Sequence, residues 1–188
     1  MSRFFWAMTM TKGCWIDTAQ RSRPVIDADN SLNLALVDEA ATEALAVRLS
    51  RAVGPGDVIA LFGDLGMGKS VFARGFIRAY AGIDEDIPSP TFTLVQVYAA
   101  DAAPVFHFDL YRLTAPEEVL ELGIEEAFAE GISLIEWPDR LGAWMPANRL
   151  EIHLAAGGRE SARKACLIGY GYWQARLIDG IGDGAMHV

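Results

Sequence analysis

At 188 residues the chain is one domain by length, and 52% hydrophobic with 22% charged residues is a globular composition rather than a disordered one. A formal net charge of -9 argues against a self-sufficient nucleic-acid binder, because phosphate backbones are gripped by clustered Lys and Arg; nucleic acid handled through a basic partner stays open. Cys14 and Cys166 form no C-x-x-C pair, which implies neither a disulfide framework nor a zinc site, so a reducing cytoplasm is the expected location.

No apolar run reaches the roughly 18 residues that span a bilayer, so no membrane is expected. The start, "MSRFFWAMTMTKGCW", carries a basic residue and an apolar stretch that Thr9, Thr11 and Lys12 interrupt early. Residues 1–30 show no sustained period and read as a disordered or mis-started extension. A single domain is expected over 31–175, with a flexible tail over 176–188.

Along that domain, "LVDEAATEALAVRLSRAV" (Leu36 to Val53) sets Leu45, Leu49 and Val53 four apart, which predicts a helix. "GPGD" breaks it. Val58 to Phe62 is a short continuous apolar run, the mark of a strand buried on both faces. A loop over Gly63 to Gly68 leads into a helix that ends at Gly82. "IDEDIPSP" is a loop, "TFTLVQVY" alternates as a strand, and "VFHFD" is another. "APEEVLELGIEEAFAE" predicts a helix with Pro116 in its first turn and a possible break at Gly123. "ISLIE" (Ile132 to Glu136) is a buried-type strand closed by Trp137-Pro138. A hairpin turning at Gly157-Gly158 and a short helix finish the domain. The expected class is α/β: a P-loop NTPase-like mixed sheet with a parallel centre, antiparallel additions and helices on both faces.

Gly63-Asp64-Leu65-Gly66-Met67-Gly68-Lys69-Ser70 fits G-x-x-x-x-G-K-[ST] and has the required context of a strand before and a helix after. The glycines let backbone N–H groups turn toward phosphate oxygens, and the helix N-terminus adds its partial positive charge. Lys69 is expected at the β and γ phosphates and the Ser70 hydroxyl on Mg²⁺. The N-K-x-D signature that reads guanine is absent, which favours ATP.

Two acids, Asp109 and Glu136, end buried-type strands downstream of the loop, where strand carboxyl ends line the ligand crevice of such a sheet. Either can hold Mg²⁺ or orient the attacking water, and spacing does not decide between them. "SPTFT" (Ser89 to Thr93) is a hydroxyl-rich loop of the kind that senses a γ-phosphate, although Ser-Pro-Thr is also common in plain turns. His107 shares a strand face with Asp109 and reads more simply as a core histidine. Trp137 reads as a core or crevice wall.

"GDLGMGKS", "SPTFTLV", "HFDLYRL", "LELGIEE" and "LIEWPDRL", in this order and spacing, closely resemble the TsaE (YjeE) family of small bacterial P-loop ATPases, over roughly Leu36 to Gly171. The resemblance implies a role in making threonylcarbamoyladenosine, the modified adenosine beside the anticodon of tRNAs that read codons beginning with A. It implies two protein partners, TsaD and TsaB; the acidic balance of this chain suits tRNA contacts carried by those partners, so tRNA is expected indirectly, through the complex. By the same resemblance Lys69 is the phosphate lysine, Ser70 the Mg²⁺ hydroxyl and Glu136 the Mg²⁺-associated acid. Asp109 is then a functionally required aspartate, Ser89 and Thr93 the switch-like loop, and Thr42 a threonine near the nucleotide. Met67 departs from the commoner Ala.

The expectation is a Mg²⁺-dependent ATPase, slow by itself, with Lys69, Asp109, Glu136 and Thr93 acting on the reaction. Its rivals are a nucleotide-dependent binding module with incidental hydrolysis and a small-molecule kinase. A kinase usually needs a lid with arginines, and the 83–88 loop has none.

Overall fold

The computed structural model describes residues 25–26 and 31–177. The remainder of the expected extension and tail lies outside the described residues. Strands β1 (Val25–Ile26) and β2 (Ser31–Leu36) come first, followed by helix α1 (Glu39–Ser50), β3 (Val58–Phe62) and α2 (Lys69–Ala81). Then come β4 (Val95–Tyr98), β5 (Val105–Asp109), a 3₁₀ stretch over Pro116–Leu122, α3 (Ile124–Glu130) and β6 (Ile132–Glu136). A second 3₁₀ stretch (Pro138–Trp144), the hairpin β7 (Arg149–Ala156) and β8 (Arg163–Tyr170), and α4 (Trp173–Arg176) complete the described chain.

The strands form one eight-stranded sheet in the order β1-β2-β8-β7-β3-β6-β5-β4. Its centre is parallel, with β3 between β6 and β7 and with β5 beside β6. The antiparallel additions are β4 on one edge and β8, β2 and β1 on the other. The expected class therefore holds.

Side chains alternate across a strand, so β3 feeds two cores. Ile59 and Leu61 join the larger cluster with Leu45, Leu49, Phe72 and Phe76 of α1 and α2. Val58 joins the smaller one with Val119, Ile124, Ala127 and Leu141, from α3 and the two 3₁₀ stretches. Helical elements thus cover both faces of the parallel centre. His107, Asp109 and Glu136 fall on the α1/α2 side, because they alternate with Phe108 and Ile135 of the smaller cluster.

The structure differs from sequence expectation at two starts. Leu36 belongs to β2, opposite Arg163, and α1 begins three residues later, where the Asp38 side chain accepts from the Ala41 amide at 2.8 Å. Strand β4 begins at Val95 instead of Thr91, because 91–93 turn and Leu94 takes a positive φ of 63°. The break expected at Gly123 is present: at φ 76° this residue separates a 3₁₀ stretch from α3.

Helices α1 and α2 pack closely. A Cβ placed on Gly75 of α2 would sit 3.3 Å from the Glu43 Cα and 3.4 Å from the Ala46 Cβ. A small residue at that contact is what lets α1 come close enough to lay Thr42 beside the P-loop.

Candidate nucleotide site

The P-loop spans from the end of β3 to the first turn of α2, as strand–loop–helix spacing requires. Gly66, Gly68, Lys69 and Ser70 line a cavity of about 300 Å³ together with Leu65, Ser89, Thr91, Asp109, Tyr111, Arg112, Glu136 and Trp137. Parallel pairing sets the two acids side by side, since Asp109 of β5 is opposite Glu136 of β6 and Glu136 is opposite Leu61 of β3. Both carboxylates are buried at the strand ends.

Each acid is held differently. The Ser70 hydroxyl donates to Glu136 Oε2 at 3.0 Å, and His107 Nε2 lies 3.0 Å from Glu136 Oε1. Both oxygens of Glu136 are therefore fixed, one by the P-loop helix and one by the neighbouring strand. Asp109 accepts from the Thr91 hydroxyl at 2.8 Å, the Ser89 hydroxyl at 3.4 Å and the Tyr111 amide at 3.1 Å.

Lys69 is buried, and its ammonium donates to the carbonyls of Gly63 at 2.6 Å and Asp64 at 2.9 Å. It also lies 4.0 Å from the centre of the Trp137 ring. Burial lowers the Lys69 pKa from the ordinary lysine value, while the carboxylates of Glu136, Asp109 and Asp64 act in the opposite sense. Trp137 itself has φ 59°, a conformation unusual for a bulky residue and one that concentrates at functional sites. Its ring tilts against Tyr111 at 4.9 Å.

The residues singled out in the sequence are thus placed unequally. Leu65, Gly66, Gly68, Lys69, Ser70, Ser89, Asp109 and Glu136 meet at the cavity. Gly63 and Asp64 lie outside the lining and contribute the carbonyls that receive Lys69, and Met67 packs against the larger core. Thr42 is buried on α1, its methyl 4.0 Å from where a Gly68 Cβ would stand, with its hydroxyl 3.4 Å from the Asp38 carbonyl. Thr93 is exposed and outside the cavity lining. Thr91 takes the expected position instead, because the turn at 91–93 carries Thr93 away from Asp109. Two residues of a loop look interchangeable by type, and only the path of the turn separates them.

His107 is a core histidine, as its strand setting suggests, but it also fixes a site carboxylate. The period-2 register that puts it on the face of Asp109 is the signal that marks it in the sequence. On the ATPase expectation drawn from the sequence, replacing Thr91 with Val is expected to lower ATP turnover by about tenfold, since it removes a hydrogen bond to a buried carboxylate. Thr93→Val is expected to leave turnover within about twofold. Steady-state hydrolysis assays of the two variants, side by side, check the distinction.

Magnesium fits these residues. It keeps several waters and needs only one or two protein oxygens besides substrate phosphates. A hydroxyl and a carboxylate already 3.0 Å apart, at the N-terminus of α2, supply that donor set.

A mixed sheet with a parallel centre, this loop at the end of its central strand β3, and two acids on neighbouring strand ends, defines the chain as a protein of the P-loop NTPase-like fold. A family model described as "Threonylcarbamoyl adenosine biosynthesis protein TsaE" matches residues 36–165. The chain belongs to the TsaE family, whose role is in tRNA threonylcarbamoyladenosine biosynthesis.

The tRNA threonylcarbamoyladenosine biosynthesis protein TsaE of Rickettsia felis is 37% identical over 146 residues, covering 78% of this chain and 84% of that protein. The protein of the same name from Bacillus subtilis is 37% identical over 118 residues, 62% of this chain and 73% of its own. The crystal structure of Bacillus subtilis YdiB matches with a TM-score of 0.67 at 30% identity, covering 79% of this chain and 92% of that one.

Proposed function

We propose that this chain is a Mg²⁺-dependent ATPase that supports threonylcarbamoylation of the adenosine beside the anticodon, in tRNAs reading codons that begin with A. It works with TsaD and TsaB in the cytoplasm and meets tRNA through that complex. The observation that carries the reading is the Ser70–Glu136 contact at the P-loop helix, beside Asp109 on the next strand. Family membership and the P-loop context support it.

In this reading the backbone amides of the loop and the N-terminus of α2 take the phosphate oxygens. Lys69 exchanges its two loop carbonyls for β- and γ-phosphate oxygens. Ser70 and Glu136 hold Mg²⁺, which supplies charge neutralisation on the transferring phosphoryl group. Asp109, held by Thr91 and by the Tyr111 amide, is oriented toward the same cavity and shares with Glu136 the task of placing water. Leu65 and Phe92 are strongly exposed at 80% and 81%, and Tyr111 is half exposed at the cavity. Apolar side chains so exposed around a polar site suit completion by a protein partner.

ATP hydrolysis by the purified chain, alone and with TsaB–TsaD, tests the reading, with Lys69→Ala as control. Stimulation by the partners that vanishes in the Lys69 variant is the expected result. Tight ATP binding with no stimulation would instead make the chain a nucleotide-dependent binding module. Phosphate transfer to a metabolite would make it a kinase.

A further inference from the structure

We infer that Arg163, on the first residue of β8, is a positioning residue for the phosphate cradle. Its guanidinium reaches across from the β7–β8 hairpin, and Nη2 donates to the carbonyl of Gly66 at 3.1 Å. The other amino group, Nη1, donates to the carbonyls of Glu160 at 2.7 Å and Ala162 at 2.8 Å, which anchors the side chain on its own turn. Nε is buried without a partner. Among the described residues Arg163 forms no ion pair, so its charge is directed at carbonyls.

The geometry gives this contact a consequence. Gly66 lines the nucleotide cavity and Arg163 does not, so the guanidinium holds the loop from outside the cavity. A peptide group is planar, with its C=O and N–H pointing in opposite directions. Fixing the Gly66 carbonyl on a cation therefore also fixes the next amide, that of Met67, which donates to the Asp64 carbonyl at 3.3 Å and closes the loop's own turn. Gly66 has φ 79° and open space where a Cβ would stand, so no steric crowding pins this part of the loop.

A glycine in a loop is free to flip, and a flipped peptide would present a carbonyl oxygen to phosphate. Lys69 covers the Gly63 and Asp64 carbonyls from one side and Arg163 covers Gly66 from the other. Lys69 leaves its carbonyls when phosphate arrives, whereas Arg163 has no need to. The hairpin then keeps the middle of the loop preorganised for triphosphate, at lower cost in ordering on binding.

The role rests on the ATP-binding reading given above, and the test separates the two. ATP and ADP affinities are measured by equilibrium binding for the unmodified chain, Lys69→Ala, Arg163→Met and Arg163→Lys, alongside KM, kcat and the unfolding midpoint without nucleotide. Arg163→Met is expected to weaken both nucleotides and raise KM by roughly tenfold, the order expected for a lost hydrogen bond to a charged donor. kcat at saturation and the unfolding midpoint are expected to change little, and Arg163→Lys is expected to restore most of the affinity.

Wild-type affinity in a folded Arg163→Met variant would overturn the inference. So would a fall in kcat with unchanged KM, which is the signature of a smaller active fraction. If Arg163→Met fails to fold, the residue is structural and the inference fails, unless a folded Arg163→Gln variant shows the same selective loss of affinity. Absence of ATP binding by the unmodified chain would sink the ATP-binding reading itself, whatever the Arg163 variants do.

Discussion

Glu136→Gln is expected to lower ATP hydrolysis by roughly a hundredfold or more while ATP still binds. The substitution keeps the size of the side chain and one carbonyl oxygen, so the packing at the end of β6 survives. What it removes is the negative charge at the Ser70 hydroxyl, and it leaves an NH₂ facing either Ser70 or His107, both now 3.0 Å from a carboxylate oxygen. A neutral amide is a poor ligand for a hard dication. Lys69, the loop amides and the α2 N-terminus remain to hold the phosphates, so binding and chemistry come apart.

Single-turnover hydrolysis and equilibrium ATP binding, both at fixed Mg²⁺, read the two effects. Hydrolysis within about threefold of the unmodified chain would transfer the metal-linked role to Asp109, and an Asp109→Asn variant measured in parallel would then carry the large loss. Because the two acids are paired across adjacent strands, a variant with both neutralised is not expected to show the sum of the single losses.

The second large effect is on stability and lies at the opposite end of β3. Asp57 immediately precedes that strand and its side chain is 4% exposed. Its carboxylate accepts from the Gly54 amide at 2.7 Å, from the Tyr172 hydroxyl at 2.9 Å, and from Arg176 Nη1 at 2.7 and 2.9 Å. Arg176 also donates to the Ala52 carbonyl and stacks 4.1 Å over Trp173. One carboxylate thereby ties the turn before β3 to helix α4, whose Trp173 is fully buried.

Burial, with the same carboxylate as the smaller cause, raises the Tyr172 pKa to about 12. Asp57→Ala leaves three donors without their acceptor and is expected to cost about 2–4 kcal/mol. That is a large part of the stability of a small domain. Arg176→Met is expected to cost at least as much, because it leaves a carboxylate 4% exposed with only the Gly54 amide and the Tyr172 hydroxyl as donors. Denaturant unfolding gives both numbers, and the nucleotide affinity of the folded variants is expected to stay unchanged. A loss below about 1 kcal/mol for Asp57→Ala would mean that α4 is held by Trp173 packing alone.

Much of this protein is legible from local chemistry. The run Val58 to Phe62 followed by G-x-x-x-x-G-K-S specifies a strand, a loop and a helix by its own composition, and those elements lie where the sequence places them. Asp109 and Glu136 stand out because each ends a short apolar run, and a strand that is buried on both faces has only its end to offer a polar group. Helix α2 stops at Gly82 with φ 66°, as a left-handed cap demands.

Other features need the fold. Strand β2 escapes the sequence because Leu32, Leu34 and Leu36 run straight into the helical pattern that follows, and only pairing with β8 makes them a strand. Thr91 and Thr93 have the same side chain two residues apart, and the left-handed turn at Leu94 decides which one meets Asp109. Arg163 stands 97 residues from Gly66, and nothing in its neighbours marks it. Such a contact depends on sheet order, with β7 lying against β3 and β8 against β7.

The sequence by itself determined which residues could bind phosphate and which elements would carry them, because those are matters of backbone conformation and local burial. The tertiary structure alone decided which hydroxyl meets which carboxylate and which arginine braces the loop. Those contacts arise between strands distant in sequence, and hydrogen bonds form only where such groups come within about 3 Å of each other.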